Sequence, residues 1–229
     1  MIKACIFDMD GTLVNTLFCM AYFGNEALKK MGFPPVETEK YRYMVGDGVD
    51  RLMRRMLQNS IGQYQEEDAK KLRKIYDDMY NRTHLYLVQN YNGIPELLLK
   101  LKTLGIKLAV FSNKPHNLVC MTIDSLFPSG TFDVCYGQRP SVPLKPAPDG
   151  ALLIAQELNV SPKECLYIGD TNTDMQTGNS AGMDTVGVLW GFRNEQELRE
   201  NHAKYIVSQA EDIYRIVFHT HNTPNLGHV

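Results

Sequence analysis

No apolar run in this 229-residue chain is longer than a β-strand needs, which excludes a transmembrane helix of about 20 residues. The opening Met1-Ile2-Lys3-Ala4 passes straight into a strand pattern, without the basic, apolar and small-residue sections of a secretion signal. Cysteine is sparse and unpatterned: five residues, at 5, 19, 120, 135 and 165, with no CxxC spacing and no Cys/His group of the zinc type. An odd, scattered set argues against a disulfide framework and for a reducing compartment, so a cytoplasmic protein is expected. Charge of one sign is lacking as well. With 24 basic and 26 acidic residues the formal charge is −2, which gives no electrostatic footing for nucleic acid or a membrane surface. Internal repeats and low-complexity segments are also absent. What remains, at 44% hydrophobic and 22% charged residues, is the composition of an ordinary globular protein.

Short β-rich runs recur at 3–7, 107–111, 132–136, 165–168 and 185–188, with a weaker one at 204–207. Helix-length stretches lie between them, at 94–104, 147–158 and 173–181; Gly105 and Gly182 stand where helices of this kind stop. Such alternation predicts an α/β fold, a parallel sheet with helices on both faces. Residues 16–84 break the pattern, because only helical periodicity is found there. Phe18, Tyr22, Ala27, Leu28 and Met31 mark one helix. Leu52, Met53, Met56 and Leu57 mark a second after Gly46-Asp47-Gly48. Leu72, Ile75, Met79 and Tyr80 mark a third, opened by Glu66-Glu67-Asp68 as the helix dipole favours. The expected organisation is a core of residues 1–15 and 85–217, an all-helical insert at 16–84, and a polar tail at 218–229. Ser208 and Glu211 read as a capping box for a last helix, and His219, His221 and His228 in the tail read as a frayed terminus.

Four aspartates carry the chemistry. Asp8 and Asp10 follow the first strand at once; Asp170 and Asp174 follow the fourth. Carboxylates this dense at the ends of buried strands need a positive partner, and a hard divalent cation is the simplest. Ligands gather at the carboxyl ends of strands in an open α/β sheet, so this pattern points to metal-assisted phosphate chemistry. Asp8 can attack phosphorus to form an aspartyl-phosphate, and Asp10 can protonate the leaving oxygen and later activate water. Ser112 and Asn113 close the second strand with a hydroxyl and an amide suited to phosphate oxygens. Lys145 can neutralise a phosphoryl oxygen and hold the repelling carboxylates together. Asp170 can reach the metal. Asp174 can coordinate through water, pair with Lys145, or cap the helix that follows.

Asp8-x-Asp10-Gly11-Thr12, Ser112, Lys145 and Gly169-Asp170-x-x-x-Asp174, in that order and with a helical insert after the first, resemble the four motifs of the haloacid dehalogenase-like phosphohydrolases. The resemblance runs to about residue 217. It implies a Rossmann-like, three-layer α/β/α core with an inserted helical cap, and Mg²⁺ held by Asp8, the backbone carbonyl of Asp10, and Asp170. Asp10 favours phosphoryl transfer, since displacing halide needs no acid. Val45-Gly46-Asp47-Gly48-Val49, Lys145-Pro146-Ala147-Pro148, residues 181–188 and Trp190-Gly191-Phe192-Arg193 look most like the phosphoglycolate phosphatase group, although Asn15-Thr16 stands where members often have Asp-Ser. The expected activity is hydrolysis of a small phosphorylated metabolite, phosphoglycolate first, by a monomer or homodimer. The alternatives are a pyrophosphatase or nucleotide phosphatase, then a phosphomutase, then a catalytically silent binding module. Substrate choice is expected in the cap: Gly46 and Asp47 in its loop, with Arg51 reaching a substrate carboxylate. Met44, Met53 and Met56 are expected in the cap's own core.

Overall fold

The computed structural model describes residues 1–222, with side chains through residue 220. Strand β1, Ala4–Phe7, is fully buried along its whole length, as an uninterrupted apolar run between two helical layers must be. The chain leaves it through a two-residue strand, β2 (Val14–Asn15), and enters helices α1 (Leu17–Lys30), α2 (Tyr41–Met44), α3 (Val49–Ile61) and α4 (Glu66–Thr83). It returns through β3 (Gln89–Asn90), which pairs antiparallel with β2. Then follow α5 (Ile94–Thr103), β4 (Lys107–Pro115), α6 (His116–Leu126), β5 (Val134–Gln138), α7 (Asp149–Glu157), β6 (Cys165–Gly169), α8 (Asn172–Ser180), β7 (Asp184–Val188), α9 (Glu195–Glu200), β8 (Tyr205–Val207) and α10 (Ala210–Asn222).

The main sheet has the order β5-β4-β1-β6-β7-β8, and its pairings are parallel. Period-2 alternation sends Cys5 and Phe7 into one apolar cluster with residues of α5, α6 and α10. Ala4 and Ile6 enter another, with residues of α7. This is the expected three-layer α/β/α sandwich. Because β1 sits between β4 and β6, the carboxyl ends of these three strands lie side by side where strand order reverses, the place an open α/β sheet offers a ligand. The helices between Leu17 and Thr83 gather around a separate cluster that includes Tyr41, Met44, Met53, Met56 and Leu72.

Two glycine stops close as the sequence predicts. After α5 the N–H of Gly105 bonds Lys102 O and that of Ile106 bonds Leu101 O; after α8, Gly182 and Met183 bond Asn179 O and Gly178 O. Elsewhere tertiary contacts move the boundaries. Strand β4 runs on through Ser112 and Asn113 to Pro115, with an irregular register after Phe111. Strand β5 begins two residues late, because Asp133 accepts the Leu108 N–H on its carboxylate. The last helix begins at Ala210, so Ser208 is not its cap, and the Glu211 carboxylate pairs with Lys100 at 2.6 Å. That helix reaches Asn222, so residues 218–222 of the expected tail are helical and the Phe218 ring meets His219. His228 and the His221 side chain lie outside the described residues. Among those described, no helix is long and apolar enough to cross a membrane.

Candidate active site

Asp8 leaves the end of β1 with its side chain 7% exposed, and Lys145 Nζ lies 2.9 Å from its Oδ1. The same ammonium lies 2.7 Å from Asp174 Oδ1. The other oxygen of Asp174 accepts the N–H and hydroxyl of Thr171, the residue before α8, at 3.1 and 2.6 Å. Asp174 therefore caps its own helix and pairs with Lys145 at once. Asp170 is fully buried; its oxygens accept the Thr12 hydroxyl at 3.0 Å and the Phe192 N–H at 2.8 Å. Gly11, at φ +92°, is what lets the two strand ends approach: a Cβ there would lie 2.3 Å from Asp170 Oδ2.

Three buried carboxylates, those of Asp8, Asp170 and Asp174, each place an oxygen within 4.8 Å of the others. Burial pushes the Asp8 carboxyl well above the usual carboxylate range; Lys145 pulls it back, while Asp174 and Asp170 add repulsion. Asp170 is pushed up to about 7, by burial first and by Asp174 second, against the Phe192 N–H and Thr12 hydroxyl that favour its charge. Burial also works against the charge of Lys145, yet Asp174 and Asp8 outweigh it and hold the ammonium above its ordinary range. When all are ionised, three carboxylates and one ammonium leave two negative charges without water to solvate them, which is why the Asp8 and Asp170 carboxyls are raised. A divalent cation with a preference for oxygen cancels that charge, and the donor set is of the kind that holds Mg²⁺.

Asp10 is 17% exposed and turns away from this cluster. Lys114 Nζ, at the far end of β4, lies 3.2 Å from its Oδ1 and 2.6 Å from the hydroxyl of Tyr80 on α4. Ser112, Asp8, Asp10 and Lys114 open together into a cavity of about 70 Å³ between the sheet and the helices, with Gly46, Leu52 and Tyr80 among its other walls.

Asn113 lines the same cavity as Asp8 and Ser112. Its side-chain amide donates to Gly46 O (3.0 Å) and Lys145 O (3.2 Å) and accepts the Lys145 N–H (2.9 Å), so the side chain also braces the Lys145 backbone. Of the three expected cap residues, only Gly46 lines the cavity. Asp47 takes Arg55 at 2.5 Å and the Thr173 hydroxyl at 3.0 Å. Arg51 does not reach the cavity: its side chain is 64% exposed, 3.8 Å from Asp47 one helical turn away, because it stands on the solvent face of α3. Two residues outside the predicted set bind the helical unit to the sheet. Arg193, after β7, donates to the carbonyls of Val45 and Arg42, and Arg42 donates to Gly191 O. Lys114 and Arg193 carry no local sequence signal for these roles, because their partners Tyr80, Val45 and Arg42 lie far away in the chain. Cys5, buried in β1 with its thiol pushed up by burial, is inert packing.

A sequence model of the haloacid dehalogenase-like hydrolases matches residues 5–188. Phosphoglycolate phosphatase of Pseudomonas putida is 30% identical over 84% of this chain and 71% of that protein. The phosphoglycolate phosphatase of Aquifex aeolicus is 29% identical over 94% of this chain and 96% of its own length. Among solved structures, a phosphoglycolate phosphatase candidate from Lactobacillus delbrueckii subsp. bulgaricus superimposes with a TM-score of 0.90 at 30% identity. That match covers 94% of this chain and 98% of the other.

Proposed function

Because the chain belongs to the haloacid dehalogenase-like hydrolases, in their phosphoglycolate phosphatase-like group, and is a phosphatase, we propose that it hydrolyses a small phosphate monoester, phosphoglycolate in first place, with Mg²⁺ and through an aspartyl-phosphate on Asp8. The observation that carries this reading is the set of three mutually close buried carboxylates where β1 and β6 end, two of them paired with the Lys145 ammonium. Residues 1–15 and 85–217 are the catalytic core, and residues 16–84 act as a cap that excludes water.

In the first half-reaction a carboxylate oxygen of Asp8 bonds to phosphorus, the ester P–O bond breaks, and Asp10 gives its proton to the leaving oxygen. In the second, a water oxygen bonds to phosphorus, Asp10 takes the water's proton, and the acyl-phosphate P–O bond breaks to restore Asp8. Lys145 holds Asp8 in place and neutralises a phosphoryl oxygen, the Ser112 hydroxyl donates to another, and Asn113 fixes the Lys145 backbone. Mg²⁺, when held by Asp8, the Asp10 carbonyl and Asp170 with Asp174 in support, supplies charge neutralisation for the phosphoryl group. A screen of phosphorylated metabolites with Mg²⁺ tests the reading; phosphate release from none of them overturns it.

Two outcomes follow for this site. Asp10→Asn is expected to slow alkyl phosphates by about 10²–10⁴-fold, while activated aryl phosphates, whose leaving oxygen needs little protonation, lose far less. Equal losses on both classes would remove Asp10 from the acid role. The second concerns pH. Asp170 has its folded pKa raised, so its contribution to metal-free stability is full below the ordinary carboxylate pKa and fades as pH rises through about 7. Mg²⁺ must displace that proton. Its apparent Kd is therefore expected to rise by at least about tenfold per pH unit below about pH 7, more steeply where the Asp8 proton must leave as well, and the increase in Tm it produces is expected to grow with pH. Calorimetric titration checks this, and an affinity independent of pH between about 5.5 and about 8 contradicts it.

A further inference from the structure

The cavity's charged lining residues are Asp8, Asp10, Asp77 and Lys114, which makes Lys114 the one cation among them. Around it the walls are apolar, with Met20, Val49, Leu52 and Leu118 facing inward. Its side chain is 8% exposed, and its ammonium is fixed from both sides of the cleft. Asp10 holds it from the sheet at 3.2 and 3.4 Å. Tyr80 holds it from α4, through the hydroxyl at 2.6 Å. A buried ammonium in such a site is costly without an anion. Once Asp10 turns to the leaving oxygen of a substrate, as the acid role above requires, Lys114 needs a new one.

We propose that Lys114 is a specificity-determining residue that receives a carboxylate carried on the leaving group of the substrate. The assignment rests on the phosphatase reading above and deepens it, by requiring a second anion close to the phosphate ester. An ester oxygen within hydrogen-bond reach of Asp10, at roughly 2.6–3.2 Å, lies no more than roughly 6.6 Å from the Lys114 ammonium. A two-carbon acid such as glycolate spans that gap. An uncharged alkyl group of the same size leaves the ammonium unpaired. Arg51, the expected carboxylate partner, stands outside the cavity, and Lys114 replaces it in that role.

The test compares phosphoglycolate with ethyl phosphate, which keeps the two-carbon skeleton and lacks the carboxylate. Kinetics are measured on the wild type, Lys114→Met and Lys114→Gln, each checked for fold by circular dichroism and Tm. The wild type is expected to prefer phosphoglycolate. Both variants are expected to lower the ratio of kcat/KM values for the two esters by about tenfold to a hundredfold, mainly through KM for phosphoglycolate. Lys114→Gln is the sharper variant, since its amide still donates to Asp10 and Tyr80 but carries no charge. Titration of phosphoglycolate into an inactive Asp8→Asn background is expected to show the same weakening on adding Lys114→Gln. If the variants slow both esters equally, or the wild type does not distinguish them, Lys114 only positions Asp10 and the proposal is overturned. Hydrolysis of ethyl phosphate but not phosphoglycolate overturns this assignment alone. Release of phosphate from neither ester, nor from any metabolite in the screen, overturns the phosphatase reading with it.

Discussion

Asp8→Asn is expected to abolish turnover, by about 10⁴-fold or more as loss of a covalent nucleophile does, while the protein stays folded. The amide keeps the shape of the carboxyl and its buried position at the end of β1, so packing is preserved. Its metal-free stability is expected to rise at alkaline pH. The folded-state pKa of Asp8 is raised by burial, so the stability this carboxyl contributes is present at low pH and lost as pH climbs through that raised value. A neutral amide removes the loss. Mg²⁺ is expected to stabilise Asp8→Asn less than the wild type, since one charged ligand is gone. Kinetics with thermal melts at about pH 8, with and without metal, check the set. A folded variant with normal turnover would take the nucleophile role away from Asp8.

The second large effect belongs to Lys145. Its ammonium lies between Asp8 and Asp174 at 2.9 and 2.7 Å, with 2% of the side chain exposed. Lys145→Met keeps the length of the side chain and deletes the charge, so the carboxylate cluster moves from two uncompensated negative charges to three. Removing one partner of a buried ion pair costs about 3–5 kcal/mol, which is roughly 6–20 °C in Tm for a chain of this size. The loss is expected to be largest without metal and to shrink on adding Mg²⁺. Lys145→Met/Asp174→Asn is expected to be less destabilised than the single Lys145 variant, because the second substitution removes a stranded charge. Thermal melts of the wild type, both single variants (Lys145→Met and Asp174→Asn) and the double variant check this. A single variant as stable as wild type would mean that the carboxylates are compensated by something other than Lys145.

The parts of this protein written in the sequence are those that local chemistry decides. An apolar run ending in Asp8-Met9-Asp10-Gly11-Thr12 is a buried strand meeting a tight acidic turn, and no distant residue is needed to read it. Gly105 and Gly182 stop their helices by bonds made within six residues. The helical character of residues 17–83 follows from 3.6-residue periodicity in the same way. Other parts depend on what the fold brings alongside. Asn113 carries an amide suited to phosphate, and β4 also sets it against the Lys145 backbone 32 residues later. Lys114 looks like half of a turn and becomes a pocket cation only because α4 sets Tyr80 across from it. Arg51 has the right chemistry on the wrong face of its helix. The β2–β3 ribbon, two residues on each side, is too short to leave a pattern at all.

A phosphoryl group bound covalently to Asp8 during turnover is the most direct mark of the account. Rapid acid quench of the wild type with ³²P-labelled phosphoglycolate and Mg²⁺, followed by peptide mapping, is expected to find label on the peptide containing Asp8, appearing before free phosphate reaches its steady rate and missing from Asp8→Asn. Turnover without any labelled peptide, or with the label on a different residue, would contradict it.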